Sequence, residues 1–280
     1  MTNQIYPCLW FDGQAKAAAD FYCSLFNNSR ITTDTPMVVN FELSGKKFMG
    51  LNGGPHFKFN QSISFLVICE SDDEINELWK QLVAGGYVMM PLDKYDWSEK
   101  YGFLTDRFGV AWQLMKGKYS DVNQKITPTL LFVGAKYGHA EKAVKFYADV
   151  FPKSEINGIL LYEAGDAQQI GKVMHSQFVL NGTVFMAMDG FGNHAFAFNE
   201  VVSFVVDCAT QEEIDFYWNK LTADGGQESQ CGWLKDKFGV SWQIVPAVLG
   251  KLMSDPEKAP RVIQAFMKMK KLDIEKLVNA

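Results

Sequence analysis

The residues most able to do chemistry fall into three small groups. Asp189 ends an apolar run and His194 follows five residues later, so a strand end and its turn could bring a carboxylate and an imidazole to one pocket mouth, as a metal or acid–base pair. The plainer reading is a loop histidine bonded to Asp189. Cys231 precedes Gly232 and Trp233 with Lys235 and Lys237 nearby. A nucleophilic thiolate would need such a cation, but strand alternation would set Cys231, Trp233 and Lys235 on one face with Lys237 beyond it, which favours a thiol that only packs. Gln113 and Gln243 close two copies of one motif, "DRFGVAWQL" and "DKFGVSWQI", where an amide can hold a ligand or satisfy neighbouring polar groups. Tyr95, Trp97 and Tyr101 load "PLDKYDWSEKYG", a connection longer than its later counterpart, with aromatics that could cover a pocket or seal an interface.

What positions these residues is a duplication. "AAADFYCSLF" aligns with "KAVKFYADVF", "FELSGKKFMGLNGG" with "FVLNGTVFMAMDGF", "FNQSISFLVICES" with "FNEVVSFVVDCAT", and "EINELWKQL" with "EIDFYWNKL", always in the same order. The chain divides into units at 1–122 and 123–250, with a tail at 251–280. Each unit contains the same pattern twice: a strand, a helix striped at i, i+3, i+4, then three strands, the middle pair of module one turning at Ser44-Gly45. Four βαβββ modules result, an α+β class in which sheets curl to enclose a concave ligand pocket. Trp79, Trp112, Trp218 and Trp242 read as core. In the tail, a helix after Pro256 with Val262, Phe266 and Met269 on one face, and a last turn capped by Asp273, should pack on unit two; "KMKK" (268–271) reads as a solvated helix face.

The 280 residues, 48% hydrophobic, suffice for more than one core. A net charge of -5 without a basic cluster argues against nucleic-acid binding. Five cysteines without CxxC spacing suggest neither a disulfide framework nor a zinc site, and the absence of a long apolar run argues against membrane insertion, so a cytoplasmic protein is expected. His139 and His175 read as surface residues, and His56 sits in a turn.

Through "LNGGPHFKFNQSISFLV", "HAFAFNEVVSFVV", "CGWLKDKFGVSWQIVP" and "DPEKAPRVIQAFMKMKKLDI", both units resemble the PhnB-like branch of the vicinal oxygen chelate superfamily, which includes glyoxalase, bleomycin-resistance and extradiol dioxygenase folds. Such sequences are often labelled 3-demethylubiquinone-9 3-methyltransferase domains, yet no GxGxG-type turn for S-adenosylmethionine is present. The resemblance implies a metal held by His and Glu from strands, but those places carry Gln113 and Gln243, and Ser62 and Val201. It further implies an internal pseudo-dimer, with a homodimer as a further arrangement. The expectation is a small-molecule binder with no obligatory cofactor, its ligand held by Gln113, Gln243, Cys231, Trp233, Trp97 and Tyr101, with at most one pocket optimised. No catalytic residue is assigned. The alternatives are a metal-dependent glyoxalase- or dioxygenase-type enzyme using a divalent ion at Asp189 and His194, and a purely structural role if both pockets prove filled.

Overall fold

A computed structural model describes residues 5–165 and 167–280. Module one comprises β1 (Ile5–Phe11), α1 (Ala15–Leu25), β2 (Arg30–Asp34), β3 (Val38–Leu43) and β4 (Lys46–Asn52). Module two comprises β5 (Ile63–Cys69), α2 (Asp72–Val83), β6 (Tyr87–Tyr95), β7 (Ser98–Thr105) and β8 (Ala111–Lys116), and a short α3 (Tyr119–Val122) leads out of it. Module three comprises β9 (Ile126–Phe132), α4 (Ala140–Val150), β10 (Glu155–Leu161), β11 (Val173–Leu180) and β12 (Thr183–Asp189). Module four comprises β13 (Val202–Cys208), α5 (Gln211–Thr222), β14 (Gln227–Glu228), β15 (Trp233–Lys235) and β16 (Ser241–Pro246), followed by the tail helices α6 (Leu249–Ser254), α7 (Ala259–Phe266) and α8 (Ile274–Val278). The four βαβββ modules are therefore present.

The sheets divide the chain differently from the repeat. One eight-stranded sheet runs β14-β15-β16-β13-β1-β4-β3-β2 and joins module four to module one; the other runs β10-β11-β12-β9-β5-β8-β7-β6 and joins modules three and two. At each centre two modules meet antiparallel, β1 on β13 with Cys8 opposite Ser203, and β5 on β9 with Leu66 opposite Thr127. We call them the first and second sheet. Within each module the first and last long strands pair in parallel, as β1 with β4 and β13 with β16.

Alternation along the strands gives each sheet two faces. The inner faces and the four module helices form one core, in which Phe48 of the first sheet meets Phe65 of the second at 5.6 Å and Phe185 meets Phe204 at 5.0 Å. The helices start on local caps: Ser71 and Thr210 accept from the amides of Glu74 and Glu213 to open α2 and α5, a favoured N-cap arrangement. The Ser44-Gly45 turn has positive φ at both residues (48° and 75°), the conformation that suits a two-residue hairpin, and Asn181-Gly182 repeats it.

The repeated motif does its work in this core. Asp106 accepts the Tyr22 hydroxyl (2.7 Å), Trp112 Nε1 (2.9 Å) and the amides of Phe108 (2.8 Å) and Val110 (3.1 Å). Asp236 takes Tyr147, Trp242, Phe238 and Val240 in the same way. Since Tyr22 lies on α1 and Asp106 just before β8, each motif ties one module of a unit to the other across the two sheets.

Three local expectations change. The aromatic connection in unit one is not a loop but a hairpin, because β6 extends to Tyr95 and pairs with β7 almost to its turn, Tyr95 facing Ser98. The "KMKK" run is a turn rather than a helix face, with Lys271 paired to Asp215 at 2.6 Å. The tail begins with α6 and packs on unit two through buried Val262, Leu272 and Leu277; Gln211 on α5 donates to the Leu272 carbonyl and accepts from the Ile274 amide. Asp273 caps α8 through the Lys276 amide as expected.

Candidate functional site

The faces turned away from the helices carry the polar side chains singled out above, in two groups. On the second sheet, Gln113 is closed at both ends: its Oε1 accepts the Tyr101 hydroxyl (2.8 Å) and its Nε2 donates to Ser64 Oγ (2.7 Å). Leu66, Ile68, Tyr101, Val122, Val184 and Met186 are buried around it, with Met90, Phe103 and Met115 packed alongside. The β6–β7 hairpin lays Tyr95 and Trp97 over this cluster, stacked at 5.0 Å, with Tyr101 5.8 Å from each ring. Trp97 itself remains 62% exposed. Burial pushes the Tyr101 phenol well above its usual range, so it stays a neutral donor. This face is filled by its own side chains.

The first sheet is built from the same positions with different residues. Gln243 lies opposite Trp233 across β15 and β16, and its Nε2 donates to Ser203 Oγ (2.9 Å). Ser203 in turn stands opposite Cys8. The position of Tyr101 is taken here by Cys231, which does not begin a strand: it sits in a turn at φ 60°, its thiol 3.7 Å from Met267 Sδ and its amide on the Met269 carbonyl. The expected alternation of Cys231, Trp233 and Lys235 along one strand thus starts only at Trp233. The consequence is that no phenol closes the second end of the Gln243 amide; the group within hydrogen-bonding reach is the Cys8 thiol, a much weaker donor. Trp10 and Trp233 meet edge to face at 5.8 Å beside it, Trp10 being held by a bond from Nε1 to the Gly54 carbonyl (2.8 Å).

The far end of the same face is charged. The Tyr6 hydroxyl donates to Asp207 Oδ1 (3.1 Å), Lys47 Nζ pairs with Asp207 Oδ2 (3.1 Å), and the ammonium lies 3.8 Å above the Tyr6 ring. Met49, Leu51, Val205 and Val245 form the apolar floor between the two ends. Burial pushes the Cys8 thiol up to about 12, against hydrogen bonds with Gln243 and Ser203 that pull it down, so it is a neutral thiol beside both. Cys231 is also raised by burial.

Of the six expected ligand residues, the structure thus brings Gln243 and Trp233 together on one sheet and Gln113, Tyr101 and Trp97 on the other, while Cys231 turns to the tail. Tyr6, Cys8, Trp10, Lys47, Ser203 and Asp207 are additions. Their signal was present in "IYPCLWF" against "ITPTLLF", where Tyr6, Cys8 and Trp10 replace Thr127, Thr129 and Leu131, but it carries meaning only once module one is paired with module four.

Asp189 and His194 have separate engagements. Asp189 Oδ1 accepts the amides of Gly138 (2.8 Å) and Ala140 (3.2 Å) at the start of α4, and Oδ2 accepts that of Val173 (2.9 Å). In module one Asn52 accepts from Ala15 in the same role (2.9 Å). His194 Nε2 lies 3.1 Å from the Phe191 carbonyl. Ser62 Oγ is bonded to Asn60, and Val201 is buried. Among the described residues no three His, Cys, Asp or Glu side chains are grouped to hold a metal ion. The amide, hydroxyl and neutral thiol beside Trp233 supply no charge to compensate a divalent cation, so this donor set fits a metal poorly. His175, expected at the surface, is half-buried, and burial lowers its pKa.

The molecule matches the model of the family described as 3-demethylubiquinone-9 3-methyltransferase over residues 3–115 and 124–245. Among solved structures, the PhnB protein from Bacillus cereus is 34% identical over 39% of this chain and 96% of its own, with a TM-score of 0.38. A glyoxalase I mutant from Zea mays is 13% identical but covers 88% of this chain and 94% of its own, with a TM-score of 0.56, a likeness of fold. No curated protein matches in sequence. The methyl donor implied by the family's description, S-adenosylmethionine, finds no cradle in these residues: both sheets are mixed, each module sets its helix on the inner face, the strand-to-helix joins before α1, α2 and α5 lack a glycine-rich turn, and in the longer join before α4, with Gly134 and Gly138, the amides of Gly138 and Ala140 are already taken by Asp189.

Proposed function

Because the chain belongs to the 3-demethylubiquinone-9 3-methyltransferase family of the vicinal oxygen chelate fold, we propose that it binds a small organic molecule on the outer face of the first sheet, without an obligatory metal ion. The observation that carries this reading is the amide of Gln243, fixed by Ser203 at one end and met at the other only by the weakly donating Cys8 thiol where the second sheet has a phenol, beside the Trp10–Trp233 pair. The ligand is planar and largely apolar, with an N–H or O–H group for that amide. Trp10, Trp233, Met49 and Leu51 supply the contact area, and the Gln243 bond supplies orientation. The second sheet, whose equivalent amide is closed by Tyr101, keeps a structural role.

In this reading residues 1–122 and 123–250 are two vicinal oxygen chelate domains forming a pseudo-dimer, 251–280 is a tail that borders the site through Met267 and Met269, and the site takes module one from the first domain and module four from the second. The five free cysteines suit a reducing compartment such as the cytoplasm. Quenching of tryptophan fluorescence by a panel of planar phenols and anilides, read with chelator present, tests the proposal. Gln243→Leu should abolish the tightest interaction and Gln113→Leu should leave it in place. If the two variants lose binding equally, or if binding requires an added metal ion, the reading fails.

A further inference from the structure

Away from both outer faces, a cleft of about 710 Å³ opens at one end of the seam between the sheets. All of its walls come from modules one and three and the link before β9. Ile5 and Pro7 of β1 face Ile126 and Pro128 of β9, Phe48 and Val179 add apolar surface, and Gln124 stands at the side. The volume lies within the range of small-molecule sites.

Of the two unpaired lysines at this cleft, one is withdrawn from solvent. Lys46 is half-buried, and no carboxylate among the described residues pairs with it. Lys153 lines the opposite wall at its exposed edge, also without a carboxylate partner among the described residues, whereas Lys47 is already neutralised by Asp207 on the other face of β4. The single acid of the lining, Glu155, is exposed at the rim. Burial lowers the Lys46 pKa, which marks a desolvated ammonium whose charge a bound anion would stabilise. A half-buried cation without a counter-ion, against an apolar wall in a chain of net charge -5, has a defined complement.

We propose that the inter-sheet cleft is a second ligand site, taking an amphiphilic organic anion whose carboxylate or sulfonate head sits between Lys46 and Lys153 and whose apolar body lies against Ile5, Phe48, Ile126 and Pro128. This site is independent of the Gln243 face.

The test uses the full chain, with anilinonaphthalene sulfonate as the fluorescent probe, decanoate as its competitor and N-phenylnaphthylamine as an uncharged analogue. One probe per chain should bind and be displaced by decanoate. Lys46→Gln should weaken the probe about tenfold, equivalent to about 1.4 kcal/mol, Lys153→Gln should weaken it less, and Lys46→Arg should preserve it. Gln243→Leu should leave it unchanged, so that failure of the proposed outer-face site and failure of this one read out separately. Equal affinity of the decanoate-displaceable site for the uncharged analogue, measured in the Gln243→Leu background, or unaltered binding by a Lys46→Gln variant that melts like the parent protein, overturns the proposal.

Discussion

Replacing Asp106 by Asn is the most direct test of how the two sheets are held together. The carboxylate accepts four bonds, two on each oxygen, with Tyr22 and Trp112 sharing Oδ2 and the Phe108 and Val110 amides sharing Oδ1. An amide keeps only one oxygen. If that oxygen stays with the two backbone amides, the new NH2 group faces Tyr22 and Trp112; the phenol can rotate to accept, but the indole N–H cannot. One buried donor is therefore orphaned, at a cost of about 1–3 kcal/mol, and the surviving bonds lose their charge assistance, each by about half its strength. Against this stands relief of burying a charge, for burial raises the Asp106 pKa while the four donors pull it down. The net expectation is a loss of about 3 kcal/mol, compared with about 1 kcal/mol for Tyr22→Phe, which removes one donor and leaves the carboxylate three. Urea unfolding followed by tryptophan fluorescence measures both. The double variant should cost less than the sum, because after Asp106→Asn the phenol no longer bonds a charged acceptor. A loss below about 1 kcal/mol for Asp106→Asn would refute the idea that this carboxylate is the principal polar tie between modules.

Other expectations follow from the same geometry. Gln113→Leu leaves the Tyr101 phenol and Ser64 without their partner, so it should lower stability by about 1–3 kcal/mol in a urea titration while sparing outer-face binding. A thiol reagent on the folded protein should label half-buried Cys23 and Cys231 first, and reach Cys8, Cys69 and Cys208 only on unfolding; the buried thiols of Cys8 and Cys69 are both pushed up to about 12. Since burial lowers the His175 pKa, its contribution to stability is complete above the unfolded value of about 6.5 and is lost as pH falls from there through the folded value; His175→Gln should flatten that part of the stability curve. In Gly232→Ala a Cβ would sit 2.7 Å from the Ile244 carbonyl and 3.0 Å from Leu272 at φ 81°, so the tail should detach and limited proteolysis between α6 and α7 should accelerate.

The elements were legible because each carries a local signal, a period, a run length or a turn. "IYPCLWF" is a short apolar run of strand length, buried on both faces, the stripe of Ile75, Leu78 and Leu82 marks α2, and Ser44-Gly45 breaks the run between two strands with a turn. The partnership of the sheets was not legible, because nothing local distinguishes β1 pairing with β13 from β1 pairing with β5: both candidates are short apolar strands of similar composition. That long-range choice decides which side chains share a face, so Gln243 could be named from the repeat while Cys8, Trp10 and Ser203 could not be placed beside it. Cys231 illustrates a second limit. Alternation put it on a strand, but the close approach of the tail, with Gly232 donating to the Lys270 carbonyl, imposes a turn there instead.

The crosswise pairing also gives a physical reason why duplication could free one face for a ligand. In an arrangement of two identical units, every sheet would combine a first module with a second module carrying the same closing residues, and any change to one site would appear in the other. Here the first sheet takes Cys231 where the second takes Tyr101, and the difference propagates locally: the phenol that closes the Gln113 amide is absent beside Gln243, and the unit-one hairpin that lays Tyr95 and Trp97 over one face is replaced by tail residues Met267 and Met269 beside the other. The structural demand shared by both units, the aspartate with its four donors, is unchanged in each. A Cys231→Tyr variant should therefore fold without disturbing Asp236. If the phenol reaches the Gln243 amide it should close that face to ligands; ligand affinity unaltered by this substitution would mean that the open amide is not what distinguishes the two sheets.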